Sequence, residues 1–173
     1  MLYLQCSQKA RTALGFGTEV LAPPGHTDSA LGNWMVTIVP IGRRRAYVFM
    51  SSRSLLSFPV MIGKYPVTIE DMPTLLSYGL TRLLAHMRTP DSQRVQLLGD
   101  LKEIAICKAI DKSMISVFRS VASDYDYRVD RGGGLANVDM DDIVYRNNSI
   151  PRATLGYHTS FEASRDLLKG IDS

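Results

Sequence analysis

The sequence predicts an α+β domain: a small, mostly antiparallel sheet of about four to five strands, packed by helices drawn largely from the C-terminal half. Three observations predict it. Residues 1–66 are dominated by short apolar runs that alternate with a period of two. Residues 67–173 are dominated by apolar side chains three and four positions apart, the helical spacing. A basic glycine turn, Gly42-Arg43-Arg44-Arg45, joins two of the strand-like runs. With 173 residues and 45% hydrophobic content, one domain with a sizeable core is expected, β-rich over 1–66 and helix-rich over 67–173.

Leu2 to Cys6 alternates and predicts a first strand. Ser7 suits an N-cap, so a short helix follows from Gln8 to Leu14, and Gly15 supplies the positive φ of a helix end. Residues 22–28 contain Pro23 and Pro24 and read as a loop. Trp34 to Val39 is apolar on both faces and predicts a central strand, with Pro40 marking its end. After the basic turn, Ala46 to Met50 returns as a second strand, and Leu55 to Ile62 extends as a third, with Pro59 marking an edge or a bulge.

The helical half follows. Leu75, Leu76, Leu80, Leu83, Leu84 and Met87 define one face of a helix from about Glu70 to Met87, with Pro73 tolerated in its first turn. Asp91 suits the cap of a short helix through Leu98, which Gly99 ends. Residues 103–109 alternate and favour a strand over a helix. Helices are predicted from Ser113 to Arg128, from Val138 to Arg146 with Asp139 as cap or first-turn acid, and from Ser160 to Lys169. Gly132-Gly133-Gly134 reads as a loop between helices.

Composition narrows the function classes. The apolar runs are too short to span a membrane, and the start lacks the basic residues of a signal peptide. Two cysteines, Cys6 and Cys107, form no disulfide framework, so reduced buried thiols in a cytoplasmic protein are expected. The net charge of +3 is uneven: residues 1–65 carry seven basic against two acidic side chains, and the remainder thirteen against fifteen. That asymmetry points to an anionic partner on one face or to complementary packing of the halves.

Catalytic motifs are sparse. His26, His86 and His158 lack metal-ligand spacing, so no metal site and no cofactor are expected. Neither Gly15-Phe16-Gly17 nor the triple glycine forms a phosphate loop. The strongest signal is the basic turn. Arg43, Arg44 and Arg45, with Arg53 one turn further on, could contact phosphates through their guanidinium forks. Tyr47 and Phe49 between them suit either the core or base stacking. The expected role is a binding module that meets a protein or a nucleic acid, RNA before DNA, through this cationic hairpin. No membrane partner is expected, and an oligomer is compatible with the sequence. The alternative is a metal-independent, RNA-directed nuclease or transferase, with Lys9, Arg44, Arg45 and His158 as its candidate groups.

At these residues the chain resembles a family of uncharacterised bacterial proteins catalogued only as a domain of unknown function. The resemblance rests on Cys6-Ser7-Gln8-Lys9, Leu31-Gly32-Asn33-Trp34, the Gly42-Arg43-Arg44-Arg45 turn, Ser116-Val117-Phe118, and Asn148 with Pro151 ahead of Leu155-Gly156-Tyr157. Lys9, Trp34, Arg44 and Asn148 fall on positions that recur in that family. The resemblance implies no reaction, and it suggests a mobile-element, toxin–antitoxin or phage-defence setting. The chain departs from the family pattern in the later helix, where Arg119 stands for a small residue and Ala122-Ser123 for a polar Asn-Asp pair.

Overall fold

The computed structural model describes residues 1–17, 21–23 and 25–171. Pro24, expected in the early loop, lies outside them. The strands are β1 (Leu2–Cys6), β2 (Trp34–Ile41), β3 (Arg44–Ser51), β4 (Ser57–Met61) and β5 (Ile104–Lys108). The helices are α1 (Gln8–Leu14), α2 (Met72–His86), α3 (Asp91–Asp100), α4 (Lys112–Arg131), α5 (Met140–Asn147) and α6 (Ser160–Leu168). The strands form one sheet in the order β4-β3-β2-β1-β5.

The α+β class stands, but the sheet is mixed rather than mostly antiparallel. β1 runs parallel to both β2 and β5, while β2–β3 and β3–β4 are antiparallel hairpins. Alternation identifies a strand without giving its direction. Direction follows from the connections, and a parallel neighbour requires a long crossover. The chain between β1 and β2 contains α1, and α2 and α3 stand between β4 and β5.

Each face of the sheet carries its own core. Leu2, Leu4, Cys6, Trp34, Val36, Ile38, Tyr47, Phe49 and Phe58 face α2, α3 and α6. Met35, Ile41, Ala46, Val48 and Met50 face α4 and α5. This explains why both faces of the Trp34–Val39 run are apolar: the strand is covered on both sides. It also settles Tyr47 and Phe49, which are 2% and 0% exposed and belong to the core. Trp34 is likewise buried, against Phe58 at a ring-centroid distance of 6.1 Å.

Several boundaries differ from expectation. β2 continues through Pro40 to Ile41. Pro40 pairs with Arg45, whose carbonyl accepts from Ile62 N–H on the β4 side. Pro40 and Arg45 are therefore a non-hydrogen-bonded pair, and no ladder donor is lost. Gly42 has φ +61 at the first loop position, and Arg43 lacks a positive φ, the pattern of a type II′ hairpin turn. β4 begins only at Ser57, because Leu55 takes a left-handed φ of 57° in the turn before it. α3 begins at Asp91 itself, after Pro90, and runs through Gly99 to Asp100.

Pro59 does mark an edge, since β4 is the last strand on its side. That edge is fastened by the C-terminal segment. The fully buried side chain of Asn148 accepts from Ser57 N–H at 2.9 Å and donates to Ser57 C=O at 2.8 Å, and it also donates to Val144 C=O at 2.9 Å. Beside it, Ser57 Oγ and the Tyr125 hydroxyl are 2.8 Å apart.

Two buried groups make stability fall at high pH. Burial pushes the Tyr125 hydroxyl up to about 12, against its hydrogen bond with Ser57, and pushes the Cys6 thiol up to about 12 as well. In the unfolded chain these groups ionise near their ordinary values of 10.0 and 9.0. Between those values and 12 the folded state binds more protons than the unfolded state, so stability present below about pH 9 is lost as pH rises through this window. Thermal midpoints should therefore decline steeply above about pH 9. Absorbance titration should show Tyr125 ionising only as the chain unfolds.

Candidate anion-binding cleft

The chain leaves β1 and β5 toward opposite faces of the sheet. α1 follows β1 and buries Ala10 in the core shared with α2, whereas α4 follows β5 and buries Phe118 and Val121 in the other. Adjacent parallel strands whose helices part in this way leave a crevice at their carboxyl ends. Beyond Cys6, β2 loses its β1 neighbour and runs on beside that crevice.

Ser7 starts α1 by accepting from Ala10 N–H at 3.1 Å, and its hydroxyl lies 2.8 Å from that of Thr37 on β2. These two contacts fix the first turn of α1 against the sheet, which sets Lys9 and Arg11 at the crevice. Ala109 N–H donates to Cys6 C=O at 3.2 Å and holds the start of the β5–α4 loop on the other side.

Two clefts result. The inner one, about 600 Å³, is lined by Lys9, Arg11, Lys108 and Arg119 over a floor of Met35, Ala109 and Phe118. The outer one, about 680 Å³ and more open, brings Lys9 together with Arg45 of the hairpin. They meet at Gln8, Lys9, Ile38 and Val39, so the surface is continuous around the free edge of β2. Among the described residues no carboxylate lines either cleft and none of the five cations makes an ion pair. Arg11 Nε is buried without a hydrogen-bond partner among the described residues.

The hairpin is divided by its own packing. Arg45 shares a face with Tyr47 and reaches the outer cleft. Arg44 is exposed, but its guanidinium donates to Ile62 C=O at 2.9 Å. Arg43 is exposed at the tip, whose Gly42 N–H donates to Asp126 Oδ1 at 2.7 Å. Arg53 stands at the opposite end of β3, whose eight residues span roughly 25 Å at about 3.3 Å each. It therefore belongs to a different surface, where its guanidinium approaches Ala30 C=O at 3.4 Å.

Among the other candidates, Lys9 is in both clefts, whereas His158 lines neither. His158 is exposed on the turn before α6, with Nδ1 3.5 Å from Glu162. Trp34 and Asn148 are structural, as described above. Asn33 of the Leu31-Gly32-Asn33-Trp34 stretch is structural too: it accepts from Tyr3 N–H at 3.1 Å and donates to Gly25 C=O at 3.0 Å. Arg119 is part of the inner cleft, and Ala122 is buried in the α4 core.

Arg11, Lys108 and Arg119 are not among the site residues expected from sequence, where Arg119 stands out only as a departure from the family pattern. Each is an isolated cation, and only the parallel β1–β5 pairing gathers them. A third cleft, about 470 Å³, lies between α2, β4 and α5 and is lined by Phe58, His86, Tyr145 and Phe161. Its cation, Arg82, is paired with Asp141 at 2.5 Å, so it offers an apolar recess rather than an anion site. Among the described residues no three His, Cys, Asp or Glu side chains converge as metal ligands, and no helix is long and apolar enough to cross a membrane.

Fold and site together define an α+β domain with a cationic cleft at a switch point of its sheet. The chain belongs to the family described as Domain of unknown function (DUF6933), which matches residues 3–163. Neither a curated protein nor a solved structure matches it.

Proposed function

We propose that this protein is a binding module for RNA, holding the phosphate backbone of a single strand along the Arg45–Lys9–Lys108 surface. The observation that carries the reading is the concentration of Lys9, Arg11, Arg45, Lys108 and Arg119 in two joined clefts that no carboxylate lines among the described residues. Unpaired cations in a concave, partly apolar setting attract a polyanion more strongly than cations spread over a convex surface. The reading keeps the expected cationic hairpin but moves its centre from the tip to Arg45 and α1. Binding is favoured over hydrolysis because, among the described residues, no His, Asp or Glu lines the clefts to take a proton beside a bound phosphate. A bacterial mobile-element, toxin–antitoxin or phage-defence role suits such a module.

Fluorescence anisotropy with single-stranded RNA and DNA of one sequence tests the reading. Affinity should fall with salt at a log–log slope of about −3, as expected for four to five phosphate contacts on a single strand. Absence of binding at low salt would sink the RNA reading and leave a protein partner.

A further inference from the structure

We infer that the inner cleft is a phosphomonoester site, so that the protein recognises the phosphorylated end of an RNA strand whose backbone leaves over Lys9 and Arg45. The inference rests on the RNA-binding reading and names what the deepest part of that surface holds.

The two clefts differ in charge and shape. The outer one is more open and carries two cations, Lys9 and Arg45, which suits a passing backbone of singly charged diesters. The inner one gathers Lys9, Arg11, Lys108 and Arg119 over buried Met35, Ala109 and Phe118. This is a recess with a closed apolar floor rather than a track. A chain end enters a recess more readily than a continuous chain. A terminal phosphate also carries about −1.5 to −2 charges near neutral pH and presents three acceptor oxygens.

The donors are suited to such a group. Arg11 and Arg119 can each offer two parallel N–H groups to phosphate oxygens, and Lys9 and Lys108 add point charge. Arg11 Nε is already buried without a partner among the described residues, so part of the desolvation an anion would otherwise impose has taken place on folding. The strand alternation adds a main-chain donor. Val36 C=O accepts from Ser7 N–H on the β1 side, so Ile38, two residues on, turns its N–H to the same side, along the free edge of β2. Ile38 lies where the two clefts join.

The test uses the full chain and a labelled eight-nucleotide RNA in three forms: 5′-phosphorylated, 3′-phosphorylated, and hydroxyl at both ends. One phosphorylated form should bind at least tenfold more tightly than the hydroxyl form. Lys108→Ala with Arg119→Ala should bring that ratio to about one, by weakening the phosphorylated form at least tenfold more than the hydroxyl form. Both side chains are exposed, so the fold is expected to survive, and circular dichroism verifies it. Arg45→Ala should weaken all three forms alike and leave the ratio intact. AMP should compete with the phosphorylated form and adenosine should not.

Equal affinity for the three forms in the unmodified protein overturns the inference and leaves the RNA reading standing. Binding of AMP, sensitive to the double substitution, without binding of any RNA overturns the strand-end assignment and the RNA reading while supporting a phosphomonoester site for a free nucleotide. Binding of neither overturns both.

Discussion

Replacing Lys9, Lys108 and Arg119 together by glutamate is expected to reduce RNA affinity on the order of 10³-fold. Each charge-assisted phosphate contact contributes about 1.5–3 kcal/mol, and tenfold in affinity corresponds to about 1.4 kcal/mol. Loss of three contacts alone would give that factor or more. The contacts are not fully additive, and repulsion from three new carboxylates acts in the same direction. The log–log salt slope should flatten by about 2, because roughly 0.7 counterions are released per single-strand phosphate contact. The matched control is Arg53→Glu at the far end of β3, which should change affinity little. If Arg53→Glu and the triple variant weaken binding equally, the cleft is not the site and long-range charge alone carries the interaction. All three cleft side chains are exposed and unpaired among the described residues, so thermal midpoints should move by no more than a few degrees.

Asn148→Ala is expected to destabilise the fold by about 3 kcal/mol, read by chemical denaturation. The substitution removes the partner of both the N–H and the C=O of Ser57, at 2.9 and 2.8 Å, inside a region with almost no solvent access. A buried main-chain group left without a partner costs about 1–3 kcal/mol, and here there are two. Asn148→Asp should be no milder. It keeps an acceptor for Ser57 N–H but loses both donors and buries a charge. A loss below about 1 kcal/mol for Asn148→Ala would mean that water or a shifted neighbour replaces the amide, and the fastening role would be wrong. The size of this effect separates structural from functional recurrence. Asn148 and Lys9 both fall on recurring positions, yet removing Asn148 should cost stability, and removing Lys9 should cost binding.

Strand and helix identities were largely legible because burial imposes a period on the side chains. Trp34 to Val39, apolar on both faces, announced a central strand, and the sequence around Asp139 and around Ser160 announced helix starts. Direction was not legible, because a strand reads the same whichever way it runs. The candidate site suffered most from this. Lys108 at the end of β5 and Arg119 on α4 are unremarkable cations until β5 lies parallel to β1, and an antiparallel expectation sends them elsewhere. The hairpin arginines were visible as a run, but a run does not report faces. Adjacent residues on a strand point to opposite sides, so Arg44 reaches Ile62 C=O while Arg45 reaches the cleft. Arg53 looked close in sequence and is distant because β3 lies between.

The fastening of β4 also bears on how the protein avoids joining copies of itself. A sheet edge with free N–H and C=O groups is a template for strands of other chains. On β4 the outward-facing positions alternate from Ser57. Ser57 is occupied by the Asn148 amide, and Pro59, the next, has no N–H to give. The template is thus interrupted at two successive positions by one buried amide and one imino acid. Proline is permanent, but the amide lasts only while α5 and the turn after it stay docked. Self-association should therefore be governed by local release of the C-terminal segment, an event that needs less free energy than unfolding the sheet. A mutation that never touches a strand could then make the protein aggregate while most of its fold is intact.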